Sequence, residues 1–248
     1  MSVNSAAEVT LETDGGVALI RLDAPERRNA LTPAMAADLR GALRRAEDDP
    51  SVGAVVVEAT GPDFCAGADL QTLREAARDP LSGTSYDSLG EIYDMFAAFR
   101  RAAVPTIAAV GGRLVGAGIN VSLMCDVRVV ADDAVLIGFS AANVHPGGGH
   151  IEMLFDAAPT LAAALVLLGR RITAAEATAA GFAIECVPRD RLHQTAMNLA
   201  RGAASDPELA RRVTETFRTI RGAPGPGAMI ERAPQLWSLR RVFKSSSS

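Results

Sequence analysis

Two short segments carry the residue types that could do chemistry in this chain. "FCAGADL", Phe64 to Leu70, and "LVGAGINVSLMCD", Leu114 to Asp126, both hold clusters of small residues. Small side chains let a backbone approach a bound group closely, and amide N–H groups in such loops can face an anion. The second segment passes from a glycine turn into an apolar, helix-like stretch, where free N–H groups and the helix dipole favour negative charge. Two such sources of N–H could stabilise an oxygen that turns negative in a transition state, as an oxyanion hole does. One polar side chain, Asn120, stands just inside the apolar stretch. A carboxamide neither takes up nor gives up a proton in the accessible pH range. It is therefore either a buried amide bonded to nearby backbone or a group that holds substrate or water.

Other chemistries are excluded by spacing. Neither segment is a phosphate loop, because no GK[ST] follows. Neither matches GxGxxG, because Val121 stands where the third glycine would be. "GFSAA" fails as a nucleophile elbow, since Ala142 replaces the final glycine. His145, in "NVHPGGGH", is a residue type that transfers protons near neutrality, or else an ordinary hydrogen-bonding loop histidine beside Pro146. His150 and Glu152 open the next helix and read as a cap and a first-turn charge. With no HExxH spacing, no metal site is expected. Glu91 and Asp94, in "SLGEIYDMFAAFRRA", read as solvent-facing charges. The three cysteines, Cys65, Cys125 and Cys186, are far apart with no CxxC pair and read as buried free thiols.

The elements that must position these residues form an α/β pattern. Val9 to Thr13 and Val17 to Leu22 flank "DGG", a hairpin turn, while "VGAVVVEA" and "TIAAV" read as buried strands. Thr32 before Pro33 starts a helix with Leu39, Ala42, Leu43 and Ala46 on one face. "TAAEATAAG" has a capping box from Thr173 to Glu176 and a stop at Gly181. The last third is helical, broken at "GAPGPG", with a further helix over "MIERAPQLWSLRRVF" and an unpacked tail "KSSSS". With 248 residues, 48% apolar content and a net charge of -4, the chain is a soluble globular protein with no basic footprint for nucleic acid or an anionic membrane. The nearly uncharged run Ala102 to Met124 contains Pro105, Arg113 and four glycines and reads as core, not as a membrane helix. "MSVNSAAEVT" has no basic and no apolar leader region, which points to the cytoplasm.

The order "APERRNAL", "FCAGADL", "VPTIAAVGGRLVGAGINVSLMCDVRVVADDAVL", "HPGGG", "LLGRRITAAEATAAGF" resembles the enoyl-CoA hydratase/isomerase family, the crotonase superfamily, from about Val9 to Pro188. The resemblance implies a spiral of ββα units, with residues 1–188 as the acyl-CoA-binding core, a helical C-terminal trimerisation region over 189–243 and a tail over 244–248. It implies a homotrimer or dimer of trimers and an acyl-CoA thioester as ligand, with coenzyme A entering as part of the substrate and no separate cofactor. It places the oxyanion-hole N–H groups at Ala68 and Ala117, and contacts to the CoA portion and substrate at Arg28, Ala66, Gly67, Asp69, Leu70 and Gly116. It also places the first catalytic glutamate of a hydratase at Asn120 and the second at Phe139 or Ser140. Neither glutamate is present. The resemblance thus implies thioester binding with ordinary hydration weak or absent, His145 a candidate replacement for the acid or base, and, as the alternative, an impaired acyl-CoA carrier or regulator. Trp237, Phe243 and Lys244 either cover the adenine of a neighbouring subunit or pack within the trimer.

Overall fold

The computed structural model describes residues 8–79, 82–139 and 143–221, together with Leu236, Leu239 and Arg240. The chain begins with β1 (Val9–Asp14), β2 (Val17–Leu22), α1 (Pro33–Asp48), β3 (Ala54–Ala59), α2 (Leu70–Arg78) and α3 (Gly83–Arg100). It continues through β4 (Thr106–Val110), β5 (Arg113–Val115), α4 (Ala117–Leu123), β6 (Val127–Ala131), β7 (Val135–Ile137), α5 (His150–Ala157) and α6 (Pro159–Ala162). It ends with β8 (Ile172–Thr173), α7 (Ala174–Ala179), β9 (Glu185–Val187), α8 (Leu192–Ala204) and α9 (Pro207–Arg221).

The strands form a six-stranded sheet in the order β1-β2-β3-β4-β6-β9 and a three-stranded sheet in the order β5-β7-β8. Only the β1–β2 hairpin of the large sheet is antiparallel; its turn uses Gly15 and Gly16 at φ 56° and 79°. The two successions β4-β5-α4 and β6-β7-α5 repeat one rule. The first strand joins the large sheet, the second joins the small sheet and a helix follows. After β3 the same rule shrinks to a single bridge, Cys65 to Leu114. This is the mixed α/β spiral of ββα units implied by the resemblance.

Alternation along each strand makes two cores. Ala18, Ile20, Val55, Val57, Ala108 and Val110 face the main core with Leu39 and Leu43 of α1 and Phe99 of α3. Val17, Leu19, Val56, Ile107 and Val129 face the opposite way, onto Leu192, Ala196, Met197 and Ala200 of α8. Both faces being covered explains why β3 and β4 are continuous apolar runs, as parallel interior strands are. The run Ala102 to Met124 builds β4, β5 and α4 inside this core, and no helix among the described residues is long and apolar enough to cross a membrane.

The expected helix ends are present. Thr32 Oγ1 accepts the Met35 N–H at 3.1 Å, Thr173 and Glu176 form the reciprocal capping box, and Gly181 follows α7 at φ 83°. One expectation about the cysteines is corrected. Cys65 and Cys125 are buried, with burial pushing both thiols up to about 12, but Cys186 is exposed. It sits on β9, an edge strand of the six-stranded sheet. The "GAPGPG" break, Trp237, Phe243, Lys244 and the serine tail lie outside the described residues; Leu236 and Leu239 are helical and buried in the main core.

Leu39→Ala empties a fully buried position and is expected to lower the unfolding free energy by about 2–5 kcal/mol. Thr173→Ala removes one cap and is expected to cost about 1 kcal/mol. Urea titration of both variants checks the ranking, which fails if the two are equal.

Candidate active site

The loop after β3 is shaped by hydrogen bonds that leave one N–H turned outward. Leu31 donates to Gly67 O at 2.8 Å and accepts from Asp69 N at 2.8 Å, while Ala66 N donates to Arg28 O at 2.9 Å. A parallel bridge of this kind uses the flanking residues 67 and 69, so the N–H of Ala68 points away from Leu31. The loop before α4 does the equivalent. Val115 N and Gly116 N donate to Cys65 O and Ile137 O at 3.0 and 2.9 Å, whereas Ala117 opens the helix and its N–H has no intrahelical acceptor.

The two loops touch. A Cβ on Gly67, at φ 93°, would stand 2.6 Å from Val115 O and 3.6 Å from Ala117 N, and only a glycine admits that approach. Ala68 N–H and Ala117 N–H therefore lie on neighbouring backbone segments, both provided by buried or half-buried residues. This is an arrangement that can accept an oxygen as it gains charge.

Asn120 lies one helical turn beyond Ala117 and is fully buried. Its Nδ2 donates to Gly147 O at 3.0 Å and its Oδ1 lies 2.6 Å from His150 Nδ1. The His150 ring meets the Phe139 ring edge-on at 4.9 Å between centroids, and Phe139 packs over Gly116. His150 is corrected from a cap to a core residue: the α5 N-cap is Gly149, no side chain caps that end, and burial pushes the imidazole down to about 3. Ser140 lies outside the described residues. His145 is half-buried, with Nδ1 2.7 Å from Pro146 O.

The remaining candidates divide. Arg28 is 61% exposed and stands beside the loop, its Nε 3.9 Å from Asp63 Oδ2. Arg113 already holds Asp63 with two bonds of 2.6 and 2.7 Å and keeps that carboxyl below its ordinary range, so Arg28 retains charge for another anion. Arg27 is paired with Glu8 at 2.5 Å. Asp69 is an N-cap, accepting from Gln71 N and Thr72 N at 2.9 and 3.0 Å, and Leu70 is exposed at the start of α2. Glu91 and Asp94 face Arg40 at the surface, as expected.

A sequence profile described as Enoyl-CoA hydratase/isomerase matches residues 12–223. The chain belongs to the enoyl-CoA hydratase/isomerase family. It is 41% identical over 223 residues to a probable enoyl-CoA hydratase, EchA14, of Mycobacterium tuberculosis (strain ATCC 25618 / H37Rv), covering 89% of this chain and 84% of that one. It is 33% identical over 207 residues to the 2,3-dehydroadipyl-CoA hydratase of Escherichia coli (strain K12), covering 82% and 78%. The crystal structure of an enoyl-CoA hydratase from Polaromonas sp. JS666 superposes with a TM-score of 0.80 at 27% identity, covering 96% of this chain and 91% of that one.

Two residues packed around these loops were not read as part of the site from the sequence. Asn29, buried at φ 53°, accepts the Ala24 N–H at 2.9 Å and donates to Thr60 O and Asp63 O at 2.9 and 3.0 Å, tying the segment before α1 to the Ala66–Ala68 loop. Its signal was an asparagine in "RRNAL", since asparagine tolerates left-handed backbone. His150 had no signal, because nothing local says that a helix's first side chain turns inward.

His150 makes stability depend on pH. The unfolded imidazole takes a proton near 6.5, whereas the folded one resists it down to about 3. Its contribution is intact above pH 6.5 and is lost at about 1.4 kcal/mol per pH unit as the pH falls from there. Thermal melts between pH 7 and pH 5 are expected to show a fall in Tm that is flatter in His150→Phe; equal slopes would contradict a buried neutral imidazole.

Proposed function

We propose that this chain binds acyl-CoA thioesters, with the thioester oxygen between Ala68 N–H and Ala117 N–H, and that it is an enoyl-CoA hydratase/isomerase-like enzyme in which ordinary hydration is weak. The observation that supports the reading is the contact at Gly67, where the segment leading to Ala68 lies against the segment Val115–Ala117. Ala66 and Gly116 line that contact, and Arg28 at its edge suits a CoA phosphate. Polarisation of the thioester by two N–H donors stabilises charge on its oxygen when the α-carbon loses or gains a proton; losing one such donor costs about 10²–10³ in rate in other enzymes. Hydration further needs groups that deprotonate water and protonate carbon. The residues at those positions, Asn120 and either Phe139 or Ser140, are not carboxylates, and the adjoining His150 is held neutral.

Calorimetry with acetyl-CoA and a medium-chain acyl-CoA is expected to give heat, and the free acids none; silence from every thioester refutes the reading. Crotonyl-CoA hydration by the native chain is expected to be slow, each missing acid or base removing about 10²–10⁴ in rate. Asn120→Glu with Phe139→Glu is expected to recover more than the two single changes combined, because such groups act as a unit. A brisk native rate that His145→Ala abolishes would instead assign the chemistry to His145. Turnover of no thioester despite binding would select the carrier or regulatory reading.

We also infer a homotrimer or dimer of trimers. Leu209, Val213 and Phe217 recur on one face of α9 and all three are exposed among the described residues, an apolar stripe that suits a subunit contact. Light scattering at micromolar concentration checks this, and a monomer mass contradicts it.

A further inference from the structure

The two loops that carry Ala68 and Ala117 run side by side before they reach those residues. Pro62 O lies so close to Gly112, at φ 68°, that a Cβ there would stand 1.8 Å from it. Next along the pair Asp63 meets Arg113, then Cys65 bridges Leu114, and then Gly67 lies against Val115. Glycines permit such an approach but do not pull the chains together. The pull comes from two backbone bonds, Cys65 N to Arg113 O at 3.2 Å and Val115 N to Cys65 O at 3.0 Å, and, among the described side chains, from Asp63 and Arg113. Arg113 Nε and Nη2 hold the two carboxylate oxygens at 2.6 and 2.7 Å, and its backbone N–H reaches Oδ1 at 3.3 Å. The Asp63 side chain is 4% exposed, that of Arg113 47%. A carboxylate so nearly buried needs a countercharge, and a planar, two-pronged guanidinium fixes direction as well as distance. On its other side the Asp63 loop is tied by Asn29 Nδ2, 3.0 Å from Asp63 O, to the segment that holds Arg28.

Resting on the thioester-binding reading above, we propose that Arg113 is a positioning residue: its two-pronged grip on Asp63 sets the distance between the loops carrying Ala68 and Ala117, and so sets how strongly the thioester oxygen is held. Arg113 stands four residues before Ala117, and Asp63 five before Ala68. A slackened grip at that pair opens the approach at Gly67 and Val115 next to it. Donors act on an oxygen that gains charge only within a narrow range, roughly 2.7–3.1 Å, so a small widening weakens the hold on it. In the same reading the CoA portion meets Arg28, on the segment that Asn29 ties to the other side of the Asp63 loop, and that tie does not pass through Arg113. Loss of the pair is therefore felt by the carbonyl oxygen and not by the rest of the ligand. No proton transfer and no contact with substrate is asked of Arg113; it acts through the spacing of the loops.

The test compares acetyl-CoA with ethyl-CoA, the thioether in which a CH₂ replaces the C=O, by calorimetry. The native chain is expected to hold acetyl-CoA about tenfold tighter, a ratio that isolates the carbonyl oxygen. Arg113→Met, similar in length but without the guanidinium, is expected to bring that ratio toward one by weakening acetyl-CoA, with ethyl-CoA little changed. Arg113→Lys, which keeps the charge but only one prong, is expected to fall between. Infrared difference spectra of acetyl-CoA with an isotope-labelled carbonyl report hydrogen bonding to that oxygen directly. They are expected to show the stretch lowered on binding to the native chain and lowered less with Arg113→Met. Thermal melts show which variants are folded; if Arg113→Met does not melt cooperatively, Arg113→Lys decides, a ratio below the native one supporting the proposal and an unchanged ratio overturning it. Folded variants that weaken both ligands equally, with the ratio and the carbonyl frequency as in the native chain, overturn the proposal and leave thioester binding intact, the pair then being a structural tie alone. A native chain that holds both ligands equally, or neither, sinks the proposal together with the reading on which it rests.

Discussion

The site depends on how closely two backbones can pass. Residues 65–67 and 115–118 come together where two glycines meet carbonyl oxygens, Gly67 against Val115 and Gly118 against Cys65. Any side chain at either place would push the loops apart. The separation between the segments carrying Ala68 and Ala117 would widen with it. The surrounding bonds from Leu31, Arg28 and Asn29 hold the first loop, and those from Cys65 and Ile137 hold the second. The three-stranded sheet supplies the frame for that second set, because β5 lies in it and its neighbour β7 carries Ile137.

Electrostatics around this contact is kept quiet. The α4 N-terminus, with its partial positive charge, opens at the contact, and the other end of α4 is met by Arg128, which donates to Cys125 O at 3.0 Å and also reaches Phe182 O. Asp63 is neutralised by Arg113, His150 is uncharged, and the Cys65 thiol is held in its protonated form by burial. In such surroundings a small partial charge on an amide has more effect than it would beside mobile ions and water.

Much of this was legible in order and spacing. The hairpin around "DGG", the start at Thr32 and the box from Thr173 to Glu176 rest on local rules, in which a residue's own neighbours determine its conformation. The close approach of the loops carrying Ala68 and Ala117 was legible through their small residues, which advertise loop shape. Asp69, expected beside a ligand, caps α2 with its carboxylate, a role the sequence order did not single out. His150 and Cys186 were misjudged for one common reason. Burial is a property of what arrives from distant parts of the chain. Asn120 and Phe139 come to cover His150, while Cys186 stays exposed on the edge strand β9.

The bridges that frame the site, Leu31 to Ala68 and Cys65 to Leu114, each join segments far apart in sequence. Loop closure of that kind is entropically costly and parallel pairing forms slowly, so neither bridge can exist as a local embryo. A chain emerging from the ribosome has no part of the paired amides until residues up to the start of α4 are out and β5 has found Cys65. The contact between the two loops therefore forms only after distant segments have paired. A chain clipped before β5 retains no residual version of that contact.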